Sequence, residues 1–178
     1  MDQETFIYQD SAPYPPIEVC GPNLVYATEM LSNIGACNSE MSAVSLYFYN
    51  SLISKEPYAQ IAECFHHIMI VEMHHLDIYG QLAYRLGADP RLWSYSGRRA
   101  SYWSPGCNQY PCQLEPLLRN AIKGENEAIM KYRRQAERIK DGNIVAILNR
   151  IILDEKCHVH IFDRLYRTYV LDRGCQES

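Results

Sequence analysis

No stretch of this chain is apolar for long enough to span a membrane. The opening Met1-Asp2-Gln3-Glu4 is not a basic region followed by an apolar run, so no signal peptide is expected. These absences point to a cytoplasmic protein with no membrane partner. A basic excess is missing too. The 17 Lys and Arg are outnumbered by 21 Asp and Glu, for a formal net charge of -4, which argues against a general nucleic-acid binder. Cys-x-x-Cys occurs nowhere, which argues against a zinc ribbon or rubredoxin-type knuckle within these residues. The 7 cysteines are odd in number and do not look like a secreted disulfide framework. Cys107 and Cys112 are close enough in sequence to pair or bind metal, or to be two loop thiols.

What is present reads as one all-α domain with a full core. Residues 1–22 carry Pro13, Pro15, Pro16 and Pro22 with Tyr8 and Tyr14 among them. They predict an extended arm, lying on a surface such as a neighbouring subunit's, or a disordered tail. A first helix is expected over about 23–54, capped by Asn23 and weakened at Gly35. A second follows over about 57–87, stopped by Gly87 and Asp89-Pro90. Residues 88–113 lose the helical period and hold both Trp residues, so they predict a crossover packed onto the structure. Helices over about 114–140 and 143–172, joined by Asp141-Gly142-Asn143, complete a bundle over 23–172. A short tail, 173–178, remains.

One spacing occurs four times. Glu40 and Ala43 precede Tyr47; Glu72 and His75 precede Tyr79; Glu125 and Ala128 precede Tyr132; Glu155 and His158 precede Phe162. The step from Glu40 to Glu72 is nearly that from Glu125 to Glu155, which reads as a duplicated helical hairpin. Glu72 and Glu155 stand at the centre of apolar stripes that run Ile61, Phe65, Ile68 to Leu82 and Ile144, Leu148, Ile151 to Leu165. Lone buried carboxylates there would have to be protonated or would cost several kcal/mol each. Two divalent cations would balance the four. Residues three apart share a helix face, about 4.5 Å apart along the axis, so each Glu-x-x-His can reach one dinuclear centre. One Glu from each of two helices, with Glu-x-x-His from the other two, is the donor set of di-iron and di-manganese carboxylate bundles. The expected metal ligands are Glu40, Glu72, His75, Glu125, Glu155 and His158, and the expected cofactors are two divalent ions, iron or manganese.

The four helices resemble the ferritin-like superfamily, and within it rubrerythrin-like and manganese-catalase-like bacterial proteins. The texture around Glu40 to Phe48 and Asp154 to His158 is similar to that of bacterioferritins. The resemblance implies that Glu40 and His75 hold one metal, that Glu125 and His158 hold the other, and that Glu72 and Glu155 bridge. It also exposes departures. Rubrerythrins carry a further Glu where this chain has Ala128, and usually a rubredoxin domain; in manganese catalases, which are longer, the fourth-helix Glu can act without binding metal.

Tyr47, Tyr132 and Glu155 are candidates to orient ligands or move a proton or electron, with Tyr79 set down more readily as core. Asp154 is either a surface acid or a group that orients a histidine across the bundle. His66, His67, His74 and His160 fall off the seam as surface or boundary residues. The expected function is an oxidoreductase acting on hydrogen peroxide or dioxygen. A peroxidase of this kind needs a separate electron donor; a catalase does not. Iron oxidation and storage, or a structural coat or shell protein that keeps metals for stability, are the alternatives. The aromatic arm and crossover favour a homo-oligomer, a dimer or larger.

Overall fold

The computed structural model describes residues 6–97 and 99–172. The tail expected over 173–178, with Cys175, lies outside the described residues, as do residues 1–5 of the arm and Arg98 of the crossover. The architecture is a ferritin-like helical bundle. In chain order it comprises α1 (Leu24–Gly35), α2 (Glu40–Ile53), α3 (Ala59–Arg85), β1 (Trp93–Ser96), β2 (Arg99–Tyr102), a 3-10 turn (Pro105–Cys107), α4 (Leu114–Arg138) and α5 (Gly142–Tyr166). A π-helical turn, Arg167–Leu171, follows α5.

The helix ends follow from local chemistry. Asn23 caps α1, its side-chain oxygen accepting from the Val25 and Tyr26 amides. Gly87, at φ 98°, closes α3, and the Ala88 amide reaches back to the Ala83 carbonyl. Asp141 caps α5 through the Asn143 amide.

The single helix expected over 23–54 is two helices, broken at residues 36–39. The cause is the crossover. A Cβ on Gly35 would lie 2.2 Å from the Trp93 backbone nitrogen, so only glycine lets the hairpin come this close. Beyond it, Cys37 is joined to Cys107 by a disulfide, and Ser42 Oγ donates to the Cys37 carbonyl. The pairing expected as one possibility, Cys107 with Cys112, is therefore corrected: Cys112 is free and exposed. The crossover packs down as expected. It folds into an antiparallel hairpin with Trp93 opposite Tyr102, and Trp103 donates its indole N–H to Ser42 Oγ at 2.9 Å.

Two apolar clusters form the core. One joins α1 to the later half of α3, the end of α4 and the start of α5, around Met30, Leu82, Ile144 and Leu148. The other joins α2 to the first half of α3, the start of α4 and the end of α5, around Phe65, Leu118 and Phe162. Between them lies a polar layer: Glu40, Glu72, His75, Glu125, Glu155 and His158, none more than 3% exposed. The seam carries its charges at one level, with hydrocarbon above and below.

Candidate metal centre

The six side chains form two overlapping groups. Glu40, Glu72, His75 and Glu155 offer ligand atoms that lie within 4.8 Å of one another, as do Glu72, Glu125, Glu155 and His158. Glu72 and Glu155 belong to both. Each histidine turns Nδ1 toward this shared pair. His75 Nδ1 is 3.2 Å from Glu72 Oε2 and 3.4 Å from Glu155 Oε1. His158 Nδ1 is 2.9 Å from Glu72 Oε1 and 3.0 Å from Glu155 Oε2. Despite these approaches, Glu72 Oε1 and Glu155 Oε1 are buried with no hydrogen bond aligned on them. Orphaned carboxylate oxygens at the centre of a closed core fit a cation as the missing partner.

The electrostatics point the same way. Burial, with the charges of Glu72 and Glu155, pushes the Glu40 and Glu125 carboxyls well above the usual range. Burial also opposes the charge on Glu72, but His158 and His75 outweigh it and hold that carboxyl well below its ordinary value. Burial disfavours His75 and His158 as cations, yet the surrounding carboxylates raise both well above the usual imidazole. These shifts favour protons on Glu40, Glu125, His75 and His158, the layer's own ligand candidates. Divalent ions would displace those protons.

Groups around the layer fix the ligand orientations. Tyr47 of α2 donates its hydroxyl to Glu125 of α4, and Tyr132 of α4 donates to Glu40 of α2. Tyr79 is fully buried with no partner for its hydroxyl, in keeping with a core role. Asp154 is not a surface acid. It is fully buried, and Oδ2 lies 3.1 Å from His75 Nε2 across the bundle. Burial opposes its charge, but hydrogen bonds from His75, Tyr14 and Arg150 prevail and hold its pKa to about 2. His158 Nε2 lies 2.9 Å from the Tyr8 carbonyl. A carbonyl only accepts, so Nε2 carries a hydrogen, and Nδ1 is the nitrogen that faces the cluster. His66, His67, His74 and His160 are exposed, as the register implies.

The arm therefore lies across its own bundle, on the histidine side of the layer, rather than needing a neighbour's surface. Besides the Tyr8 carbonyl it brings the Tyr14 hydroxyl to Asp154 and the Asp10 amide to Asp154 Oδ1 at 2.7 Å. Arg150, 5% exposed, ties the arm down: it donates to Asp154, to the Ala12 carbonyl and to the Asp10 carbonyl. Sequence reasoning missed Arg150 and Tyr14. A signal existed, since Arg150 and Asp154 stand four apart on α5 where a buried stripe would carry apolar residues.

The opposite side is open. A cavity of about 250 Å³ reaches the layer between α2 and α4. Its inner wall is Glu40, Glu72, Glu125 and Glu155 with Tyr47 and Tyr132. Ala43 and Ala128, the positions that carry His in the other two helices, line it as well, and their small side chains leave the space.

Fold and layer together define a ferritin-like bundle with a buried carboxylate–histidine cluster of the dinuclear-metal type. The chain belongs to the rubrerythrin family, whose model matches residues 29–166. No curated protein matches it. Among solved structures it is similar to wild-type KatB, a manganese catalase from Anabaena, at 19% identity and a TM-score of 0.79, over 92% of this chain and 80% of that one. It is also similar to a Rhodobacter capsulatus bacterioferritin with a metal-free dinuclear site and heme iron, at 23% identity and a TM-score of 0.67, over 85% and 89%. Among the described residues no helix is long and apolar enough to cross a membrane.

Proposed function

We propose that this protein is an oxidoreductase whose paired divalent ions, iron or manganese, act on hydrogen peroxide or dioxygen. The observation that carries the reading is the pair of overlapping groups sharing Glu72 and Glu155, with a cavity that ends on them. Glu40 and His75 would hold one ion, Glu125 and His158 the other, and Glu72 and Glu155 would lie between. Such a pair supplies two electrons in one encounter with a peroxide. The rest is done by the chain. Tyr47 and Tyr132 hold the outer carboxylates in place through their hydroxyls. Ala43 and Ala128 leave the room in which a small oxygen compound reaches the layer. The arm covers the histidine side, where His75 and His158 are fully buried. Glu155, which lines the cavity, is the candidate to take a proton from an incoming peroxide.

The same reading includes a cytoplasmic home and assembly into a dimer or larger oligomer. Support for assembly is an open groove of about 780 Å³ lined by Met73, Leu76, Tyr84 and Leu92.

The test is metal analysis followed by peroxide turnover with and without a reductant. Two metal ions per chain and peroxide consumption are expected. Oxygen release without a donor identifies a catalase, and turnover only with one identifies a peroxidase. Glu72→Ala should lose both metals and activity, whereas exposed Glu137→Ala should keep them. Iron oxidation with no peroxide turnover would replace this reading by storage. Protein purified from metal-replete cells with no metal pair would remove it.

A further inference from the structure

The cavity that ends on the four carboxylates is lined at its other end by Cys37 and Cys107, which are joined to each other. We propose that these two cysteines are a resident two-electron donor for peroxide reduction at the cluster, cycling between dithiol and disulfide. The proposal rests on the oxidoreductase reading above and supplies the donor that a peroxidase of this kind requires.

Three observations carry it. First, position: Cys37 sits in the break before α2, three residues ahead of Glu40, and both line the one cavity. Among the described residues no other cysteine lines it: Cys64 is buried elsewhere, and Cys20, Cys112 and Cys157 lie outside its walls. Second, access: Cys37 is exposed and Cys107 half-buried, so the pair faces the cavity on one side and solvent on the other. An external thiolate can reach it for exchange, which a disulfide sealed in a core does not allow. Third, retention: the two segments are held together by bonds other than the S–S bond. Ser42 Oγ donates to the Cys37 carbonyl at 2.7 Å, Trp103 Nε1 donates to Ser42 Oγ at 2.9 Å, and Asn108 Nδ2 donates to the Ser42 carbonyl at 3.0 Å. The reduced thiols therefore stay near each other and ready to close again.

The chemistry balances. Two S–H bonds break and one S–S bond forms, releasing two electrons and two protons. The O–O bond of hydrogen peroxide breaks, and its oxygens take these up as two waters. A dithiol from solution then reopens the pair by exchange and leaves as a disulfide.

The experiment starts from reduced protein, metal-loaded or stripped by a chelator, mixed without air with one equivalent of hydrogen peroxide. Samples are quenched with acid, alkylated and mapped by mass spectrometry. In the loaded protein the Cys37 and Cys107 thiols should disappear together, at least about tenfold faster than in the stripped protein. In steady state with dithiothreitol as reductant, Cys37→Ser should lose at least about tenfold in peroxide consumption, with metal content and helicity unchanged, and Cys112→Ser should match the parent chain. Equal closure rates in loaded and stripped protein would overturn the proposal, because peroxide would then be oxidising the thiols directly. So would a Cys37→Ser variant that turns over peroxide like the parent, and in that case the oxidoreductase reading stands. Absence of any peroxide consumption by the loaded parent chain, with every donor, removes both.

Discussion

In one half of the polar layer His75 backs onto a buried carboxylate; in the other His158 backs onto a neutral carbonyl. Asp154 accepts from His75, while the Tyr8 carbonyl accepts from His158. The ligand-bearing positions themselves are related by the internal repeat: Glu72 with Glu155, His75 with His158, Tyr47 with Tyr132. The supporting positions are not. Asp154 directly precedes Glu155, whereas Val71 directly precedes Glu72. The two halves present matching donors but different supports, a carboxylate behind His75 and arm backbone behind His158. An anionic acceptor makes an imidazole a stronger donor than a carbonyl does. On the proposed reading, the half containing His75 is expected to be the tighter metal position.

The strongest way to break this comparison is Asp154→Ala. It takes the acceptor from His75 and leaves the Arg150 guanidinium, 5% exposed, without its 2.7 Å partner. Loss of one member of a buried pair costs about 3–5 kcal/mol, to be read by denaturant unfolding. One of the two metals should also bind roughly 10- to 100-fold more weakly. Deleting residues 1–9 removes the Tyr8 carbonyl, together with the Phe6 and Tyr8 side chains that pack on the second apolar cluster, and leaves Asp10, Ala12 and Tyr14 on Arg150 and Asp154. It should cost less stability and weaken the other metal, by about tenfold. If both changes weakened both metals alike, the two halves would not be independent and the comparison would fail.

The sequence carries the layer because ligands on a helix obey a period. Four glutamates at matching heights, two histidines three residues on and an aromatic one turn further can be placed with no knowledge of contacts. The Tyr47 and Tyr132 hydroxyls fell within reach of carboxylates for the same reason. What could not be read was carried by groups without a period. The break at 36–39 depends on a hairpin that arrives from some sixty residues away and presses on Gly35. The Cys37–Cys107 pair spans 70 residues and has no local signature. The arm's role rests on the carbonyls of Tyr8, Asp10 and Ala12, and any residue has a carbonyl. Its tyrosines suggested a docked segment, but not which surface it would cover.

A sharper comparison uses the two tyrosines that cross between α2 and α4. Each donates to a carboxylate on the opposite helix, so Tyr47→Phe and Tyr132→Phe should be near-equal. A hydrogen bond to a charged group contributes about 1.5–3 kcal/mol, and each variant should lose that order of stability with the metals bound. A difference larger than about 1 kcal/mol between them would show that the inequality of the two halves extends from the histidines to the outer glutamates.

The smallest effect belongs to the position where the repeat itself changes residue type. Tyr79 and Phe162 both stand seven residues after the glutamate of a Glu-x-x-His helix. Phe162 packs its ring at 4.9 Å from Phe65 in an apolar cluster, and it has no polar atom to satisfy. Tyr79 packs at 5.3 Å from Tyr132 and buries a hydroxyl with no partner. Tyr79→Phe removes that orphan and keeps the ring, making this helix match its counterpart. The expected outcome is no loss of stability, or a gain of up to about 1 kcal/mol, since removing an unsatisfied buried group costs nothing in hydrogen bonding. The same variant should retain both metals. A loss of 2 kcal/mol or more on the metal-loaded protein, but not on the stripped protein, would mean that metal binding gives the Tyr79 hydroxyl a partner. The half containing His75 would then be distinguished by its tyrosine as well as by Asp154.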